Sequence, residues 1–398
     1  MNEARTFDAI VIGAGPAGST AAREIALAGW RVALVERDEF PGAHNVCGGG
    51  LEGADAALLK VPPALIHKTL TRRTHVFPWG VTETAVPHVN LVRREFDRYL
   101  ARQAVEAGAE LFVRTWALAV EVTKSGQVRL QGKDLARGEQ VCYRARLAVF
   151  ADGPHTLAWH ALRLGFARRP TSAGVGLVYE LAWPDNPLNG YEVHFGAEVA
   201  SWGYAWVFPK RDELNVGLWC LPSKGEESRH LAERLRRFIA GHPLLRGRRV
   251  LRRRGALIPV TPARRIYGTS ALVVGDAAGM VDPLTGAGIA NGMVAARLAA
   301  EVAREALARD DCSAAFLARY QEQWQATDRY RTIAFQHRLT RALLPLSRLD
   351  GNLYAKMMQG LFLGNGLNRR QKLALLGYPL YKSAGGENED SCDPDATG

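Results

Sequence analysis

Apolar positions along this chain repeat with two different periods, and the switches between them mark its elements. Residues 7–12 (FDAIVI) form an apolar run of strand length. Helical spacing begins at Pro16 and ends near Gly29, and residues 31–35 return to a strand-length apolar run. Strand, Gly-rich turn, helix and strand predict a right-handed βαβ unit. Residues 94–107 (REFDRYLARQAVEA) carry the spacing of an amphipathic helix closed by Gly108, and strands are predicted near 111–122, 127–131 and 140–151. From about 172 to 222 the texture becomes aromatic and alternating (GVGLVYELAW, GYEVHFG, GYAWVFP, LNVGLW), which predicts an antiparallel sheet. A charged helix over 226–240 follows, then a buried strand at 271–275 (ALVVG) and a Gly-rich helix. Residues 311–382 read as mainly helical, and 383–398 (SAGGENEDSCDPDATG) as a disordered acidic tail.

The pattern predicts an α/β protein with a Rossmann-like dinucleotide-binding domain that is discontinuous in sequence, an inserted antiparallel β-sheet substrate domain and a C-terminal helical region. The dinucleotide domain takes 1–66, 92–168 and 267–310, and the substrate domain takes strands at 67–91 and the sheet at 169–266. The apolar stretch from Thr269 to Ala296 contains Asp276, Asp282 and Pro283, so it reads as strand, loop and helix and not as a membrane span.

Composition adds direction. The chain has 398 residues, 47% hydrophobic and 23% charged, enough for a sizeable core. Its formal charge of +11 favours anionic partners: nucleotide cofactors, acidic proteins or anionic lipid surfaces. No nucleic-acid motif accompanies that charge. Cys47, Cys142, Cys220, Cys312 and Cys392 include no Cys-x-x-Cys, so nothing points to zinc, an iron–sulfur cluster or a secreted disulfide framework. The first strand opens without a basic region and separate apolar run before it, which predicts a cytoplasmic protein.

Two glycine motifs carry the chemistry. In Gly13-Ala-Gly15-Pro-Ala-Gly18 the first glycine permits a tight turn, the second lets backbone approach a pyrophosphate, and the third lets helix and strand pack closely. The helix N-terminus then faces the phosphates with unpaired N–H groups. Glu36 ends the next strand, where a carboxylate accepts hydrogen bonds from ribose hydroxyls. In the second motif, Gly275-Asp276-Ala-Ala-Gly279 is followed by Pro283 and by Gly286-Ala-Gly288-Ile289. A carboxylate at the end of a buried strand suits the hydroxyls of a sugar-alcohol chain, and the glycines let a flat ring lie against backbone. The competing reading of Asp276 is a helix N-cap.

With Arg93-Arg-Glu-Phe96-Asp97 and Ala151-Asp152-Gly153 between them, the two motifs stand in an order that resembles the flavoproteins related to the aromatic hydroxylases, over roughly residues 6–300. That resemblance implies FAD. It places Ala17 and Glu36 on the adenosine diphosphate half, Arg93 toward the flavin nucleotide, Asp276 on the ribityl chain, Gly288 and Ile289 at the isoalloxazine, and Asp152 in the loop closing the domain. The implied cofactor set also includes Gly13, Gly15, Gly18, Arg37, Cys47, Gly48, Gly50, Ala117 and Gly286. No metal is implied.

Two further segments, Gly42-Ala-His44-Asn-Val-Cys47-Gly48-Gly49-Gly50-Leu51 and Gly203-Tyr204-Ala-Trp206-Val-Phe208-Pro209 with Asn215-Val-Gly217, resemble the geranylgeranyl reductase family, which saturates isoprenoid double bonds. The resemblance implies Cys47, Tyr204 and Trp206 as catalytic residues, with Cys47 beside the flavin and the two aromatics lining an apolar pocket. Gly-Ala-His-Asn also resembles the electron-transfer-flavoprotein:quinone oxidoreductases. An electron-transfer quinone reductase and a flavin monooxygenase therefore stay open beside the reductase. Flavin halogenases carry Trp-x-Trp-x-Ile-Pro, from which Tyr204-Ala-Trp206-Val-Phe208-Pro209 departs. A prenyl-binding carrier would need no complete FAD site.

No second GxGxxG follows a strand, so the reductant is expected to be a visiting nicotinamide dinucleotide or a small electron-carrier protein. The run Arg246–Arg254 (RGRRVLRRR) reads as a solvated edge with a flanking strand, or as a docking patch for anionic lipid or an acidic electron donor. The C-terminal segment mixes Arg341, Arg348, Lys356, Arg369, Arg370 and Lys372 with Leu343, Leu344, Leu346, Met357, Met358 and Leu361. It is either helical core or an amphipathic element lying on the inner face of a membrane.

Overall fold

The computed structural model describes residues 4–44, 46–162, 173–221 and 226–363. A six-stranded sheet is ordered β17 (Tyr267–Gly268), β18 (Ala271–Val273), β11 (Leu147–Phe150), β2 (Ala9–Ile12), β3 (Val32–Val35) and β7 (Glu110–Phe112). All its pairs are parallel except β17 with β18. Every residue of β2, β3, β11 and β18 is buried, as continuous apolar runs in a parallel sheet covered on both faces must be. Helix α1 (Pro16–Ala26) begins with proline at its first turn. Its small residues, among them Gly18, Ala21 and Ala22, are buried, as are Ala295, Ala296 and Ala299 of α6 (Ile289–Ala308), so the two helices pack closely against each other. Helix α3 (Arg93–Glu106) packs on α1 and inserts Ala104 into the same core.

An eight-stranded sheet is ordered β16 (Val250–Pro259), β12 (Ala173–Ala182), β15 (Glu213–Cys220), β14 (Ala200–Pro209), β13 (Gly190–Gly196), β5 (Ile66–Phe77), β6 (Gly80–Leu91) and β4 (Gly50–Glu52). It is antiparallel except where β13 meets β5. Its centre is buried on both sides, since every residue of β15 is buried. One face packs on α5 (Glu226–Gly241), with Leu231 and Leu235 buried beneath it. The other carries an aromatic cluster with Phe195, Trp202, Trp206, Trp219 and Tyr354. A four-stranded sheet, β1 (Arg5–Thr6), β10 (Gln140–Ala145), β9 (Val128–Asp134) and β8 (Thr115–Val122), flanks the first. Helix α2 (Gly53–Leu58) follows β4, and α4 (Ala158–Ala161) follows β11.

Three boundaries differ from those the sequence predicts. The expected strand 111–122 divides at Arg114, whose φ of +50° turns the chain from β7 into β8 and hence into another sheet. The expected strand 140–151 divides at Arg146, where the N–H groups of Arg146 and Leu147 both turn to the Asp8 carbonyl. The stretch 1–66 is also not all on the dinucleotide side: Gly50–Glu52 pairs with β6 of the eight-stranded sheet, although a short strand opening on glycine shows no alternation.

Helices α7 (Ala314–Ala326), α8 (Asp328–Leu343) and α9 (Leu353–Leu363) form the C-terminal region, with the Ser313 and Thr327 hydroxyls capping α7 and α8. Leu343, Leu344, Met357, Met358 and Leu361 pack under the aromatic face of the eight-stranded sheet, so this stripe is core. Leu346 and Leu349 remain exposed, Leu349 at 88%. Arg369, Arg370, Lys372, the remainder of the expected helical stretch to 382 and the tail 383–398 lie outside the described residues. Among the described residues no helix is long and apolar enough to cross a membrane.

On the α5 side of β13, Glu192 Oε2 accepts from Nε2 of both His194 and His242, each at 2.8 Å. Nδ1 of His242 accepts from the Leu244 N–H, which leaves its Nε2 as the protonated nitrogen and makes the trio a hydrogen-bonded staple and not a metal cradle. Burial would raise the Glu192 carboxyl, but the two imidazole donors override it and lower its pKa from 4.5 to about 2. Glu192 therefore stabilises the fold above the unfolded value of 4.5, and that contribution is lost as pH falls toward 2. Glu192→Gln is expected to lose about 1.5–3 kcal/mol at neutral pH. In urea melts the gap between variant and parent should narrow from pH 5 to pH 3; a constant gap contradicts the assignment.

Candidate active site

The dinucleotide turn is shaped by contacts that no side chain would fit. Gly13 has φ +94°, and a Cβ on Gly18 would stand 1.9 Å from the Gly13 carbonyl oxygen. Gly15, by contrast, faces open space, so the N-terminus of α1 is accessible to a ligand. Glu36 closes over this turn: one carboxylate oxygen accepts from the Ala14 N–H and the other from the Asp38 N–H, both at 2.9 Å. Burial raises its pKa while those two donors oppose the rise. Arg37 extends outward beside Asp38 at 3.2 Å. Ala117 lies on β8, whose first N–H, that of Thr115, bonds the Glu36 carbonyl. Asp152 spends one carboxylate oxygen on the Leu157 N–H at 2.7 Å, fixing the turn after β11.

The second motif meets the first. A Cβ on Gly275 would lie 3.1 Å from the Ala17 methyl, and one on Gly292 3.4 Å from it, so the Asp276 turn, α1 and α6 converge. Asp276 caps nothing. Its carboxylate has no hydrogen-bond partner among the described residues; burial raises its pKa, and only the positive charge of Arg93 opposes that. A Cβ on Gly288 would stand 3.4 Å from Asp276 Oδ1. Gly288 also opens α6 at Ile289 with no side-chain cap, leaving a second free helix N-terminus beside the carboxylate. A Cβ on Gly286, which has φ +70°, would lie 3.7 Å from the Trp219 ring.

Arg93, whose charge acts on Asp276, also links to Cys47. The Arg93 guanidinium grips Asp97 through two bonds of 2.7 and 2.8 Å and also reaches the Cys47 sulfur. Burial alone would lower the Arg93 pKa; Asp97 overrides it and holds the guanidinium charged. The three glycines that follow are needed for packing. A Cβ on Gly48 would strike the Phe208 ring at 2.9 Å and one on Gly50 the His88 imidazole at 2.6 Å, while Gly49 has φ +70°. Gly48 and Gly50, expected as cofactor contacts, thus also fit the loop against the sheet.

The sheet holds this loop by side chains. Asn215 donates to the Cys47 carbonyl at 3.0 Å and accepts from the Trp206 indole at 2.8 Å. Lys210, just past β14, is 1% exposed and donates to the carbonyls of Gly48 at 2.6 Å and Leu91 at 2.7 Å. Burial pulls its pKa down to about 8, with the Cys47 sulfur as the largest opposing influence. Sequence reasoning missed Lys210 because a lysine between Pro209 and Arg211 reads as a solvated turn; no local signal marks it as buried. Asn215 and Gly217 were visible as part of a motif. The Trp206 ring lies over Gly217, where a Cβ would fall 2.0 Å from it.

Tyr204 and Trp206 stand in one aromatic wall with Trp219, at centroid distances of 6.0 Å from Tyr204 to Trp206 and 5.8 Å from Tyr204 to Trp219. The Tyr204 hydroxyl donates to the Thr285 carbonyl, and burial holds the phenol protonated. Both polar tips are therefore engaged within the protein, and what the wall presents is apolar ring.

An open glycine turn, an unpartnered carboxylate and a bare helix N-terminus fit FAD: Glu36 and the turn suit its adenosine diphosphate half, Asp276 its ribityl chain, and Gly288 and Ile289 its ring. Residues 8–76 match the family described as FAD dependent oxidoreductase, and residues 177–258 the geranylgeranyl reductase catalytic domain. A digeranylgeranylglycerophospholipid reductase of Methanopyrus kandleri is 34% identical over 325 residues, 80% of this chain and 86% of that protein. The enzyme of the same description from Methanosphaerula palustris is 34% identical over 336 residues, 81% of this chain and 82% of that protein. The crystal structure of a geranylgeranyl bacteriochlorophyll reductase-like protein from Thermoplasma acidophilum superposes with a TM-score of 0.80 at 25% identity, covering 94% of this chain and 96% of that one.

If Asp276 accepts hydrogen bonds from the ribityl hydroxyls, Asp276→Ala should weaken FAD binding by about 1.5–3 kcal/mol, the range for bonds to a charged group. Titration of the apoprotein with FAD decides: an unchanged dissociation constant removes Asp276 from that role.

Proposed function

Because the chain belongs to the geranylgeranyl reductase family of FAD-dependent oxidoreductases, we propose that it saturates isolated double bonds in the geranylgeranyl chains of a glycerophospholipid. The observation that carries this reading is the tie between the Cys47 loop and the aromatic wall through Asn215, with the Arg93 guanidinium reaching the Cys47 sulfur.

Bound FAD supplies the two-electron chemistry, as a hydride to one alkene carbon. An isolated alkene accepts hydride poorly, so the protein must bring a proton to the other carbon. Cys47, with Tyr204 and Trp206, faces that task. The rings exclude water and hold the chain flat. The Cys47 thiol stands at the loop, and Lys210 stands beneath it. The ammonium has three N–H groups and spends two on carbonyls, leaving one without an acceptor among the described residues. With a pKa of about 8 it is protonated at neutral pH and gives up a proton at little cost. We assign Lys210 as the proton reservoir that recharges Cys47. The net charge of +11 would bring the protein to an anionic membrane surface where its lipid resides.

The reaction is tested anaerobically by reducing the protein with dithionite and adding a geranylgeranyl glycerophospholipid in anionic vesicles. Flavin reoxidation with two hydrogens gained per double bond, slower at high salt, is expected. Reoxidation only by a quinone or by oxygen with a hydroxylated product overturns the reading. For Lys210, the rate of that step in the parent should fall as pH rises through about 8, where the ammonium deprotonates. Lys210→Arg keeps a charged donor for both carbonyls but does not release a proton. It should retain FAD, lose roughly 10²-fold in rate and lose the limb near pH 8. A variant that keeps the limb shows that Lys210 only holds the loop.

A further inference from the structure

The exposed apolar side chains of the C-terminal region gather at one end of the eight-stranded sheet. The 3₁₀ turn Leu344–Arg348 buries Leu344 and Ser347 and leaves Leu346 and, just past it, Leu349 in solvent, at 46% and 88% exposure. Three residues on, Asn352 Oδ1 accepts from the Ala197 N–H at 2.8 Å, in the connection between β13 and β14. A Cβ on Gly196 would lie 2.7 Å from the Pro78 ring, so the tip of the β5–β6 hairpin meets the same end, with Trp79 45% exposed. Residues 338–363 carry four cations, Arg338, Arg341, Arg348 and Lys356, against the one carboxylate of Asp350. From this end a row of rings leads inward. Trp79 stacks on Phe77 with centroids 5.9 Å apart, Phe77 on Phe195 at 5.1 Å, and Phe195 lies 5.8 Å from Tyr204. Helix α9 lies along that row, with Tyr354 6.0 Å from Phe195 and Met358 in the same cluster. Where the helix meets the hairpin, the Trp79 indole donates to Gln359 Oε1 at 2.8 Å in an exposed bond.

We propose that this end of the molecule inserts into an anionic bilayer, and that the seam between α9 and the β5–β6 hairpin is where an isoprenoid chain enters from it. The entry route rests on the reading of the protein as a lipid reductase; the insertion does not. A half-exposed tryptophan suits the membrane interface, and Leu346 and Leu349 can enter the acyl boundary while the surrounding cations meet anionic headgroups. An exposed hydrogen bond is readily exchanged for water or a headgroup, so Trp79 and Gln359 make a weak latch. Behind it, Met357 and Met358 are unbranched and can repack around a guest. A chain passing the latch meets apolar rings from Trp79 to Tyr204 and need not cross water.

The test uses FAD-loaded protein and phosphatidylglycerol vesicles free of isoprenoid lipid. Cosedimentation should weaken about tenfold or more in Leu349→Asp, whereas Leu118→Asp, the same change at an exposed leucine of β8, should bind like the parent. Brominated acyl chains should quench the tryptophan emission of the bound parent. Trp79→Phe should remove most of that quenching, and Trp116→Phe, at another exposed tryptophan, should leave it. Amide hydrogen exchange across Leu353–Leu363 should quicken when the parent binds vesicles, as the seam loosens. Equal vesicle binding by the parent and Leu349→Asp, or quenching that follows Trp116, overturns the insertion. So does a dimer that Leu349→Asp dissociates, since a second copy then covers the turn. Unchanged exchange in α9 of the bound parent overturns the entry route. Alkene reduction by dithionite-reduced parent is read separately with detergent-dispersed lipid, so a failure of the reductase reading is not confused with a failure of the insertion.

Discussion

The Lys210 ammonium is shut away from water, and a buried charge is tolerated only where hydrogen bonds replace its hydration. The two that do so come from Gly48, in the loop after Cys47, and Leu91, at the end of β6. Neither carbonyl can move without stranding the charge, so the loop has one position on the sheet. The rest follows from that position. The loop must slide between Phe208 and His88, which admits only glycine at 48 and 50, and its Cys47 carbonyl falls within reach of Asn215. Asn215 in turn orients the Trp206 indole, and the ring settles on Gly217 because no side chain is there to lift it.

The same economy separates two kinds of charge. Inside the cleft stand Glu36 and Asp276, carboxylates raised by burial, with Arg93 committed to Asp97 and the Cys47 sulfur. Such a surface suits hydroxyl groups, and the phosphates are left to backbone N–H groups at the α1 N-terminus. Outside the same loop the balance reverses, with arginines of β16 facing Arg37 and His44. The chain at Glu36 and Arg37 therefore turns a buried carboxylate to one side and a guanidinium to the other.

Much of this was legible in the sequence. Gly13 to Gly18 with Glu36, and Gly275 to Ile289, announce themselves because a tight turn beside a phosphate or a flat ring tolerates only glycine at fixed spacing, and that demand is local. The period-two aromatic texture of 172–222 likewise announced a sheet, since alternation is a property of neighbouring residues. What the sequence could not decide were facts about residues far apart in the chain. Whether Lys210 is solvated or buried depends on Gly48 and Leu91, more than a hundred residues away. Whether Gly50 belongs to the cofactor domain or to the sheet depends on the register of β4 against β6. Whether Leu343 and Met358 meet lipid or core depends on the sheet beneath them. Local stereochemistry wrote the turns into the sequence. Burial, hydrogen-bond partners and strand pairing exist only after the chain has closed on itself, and they placed the lysine, the thiol and the arginines on their respective sides of one loop.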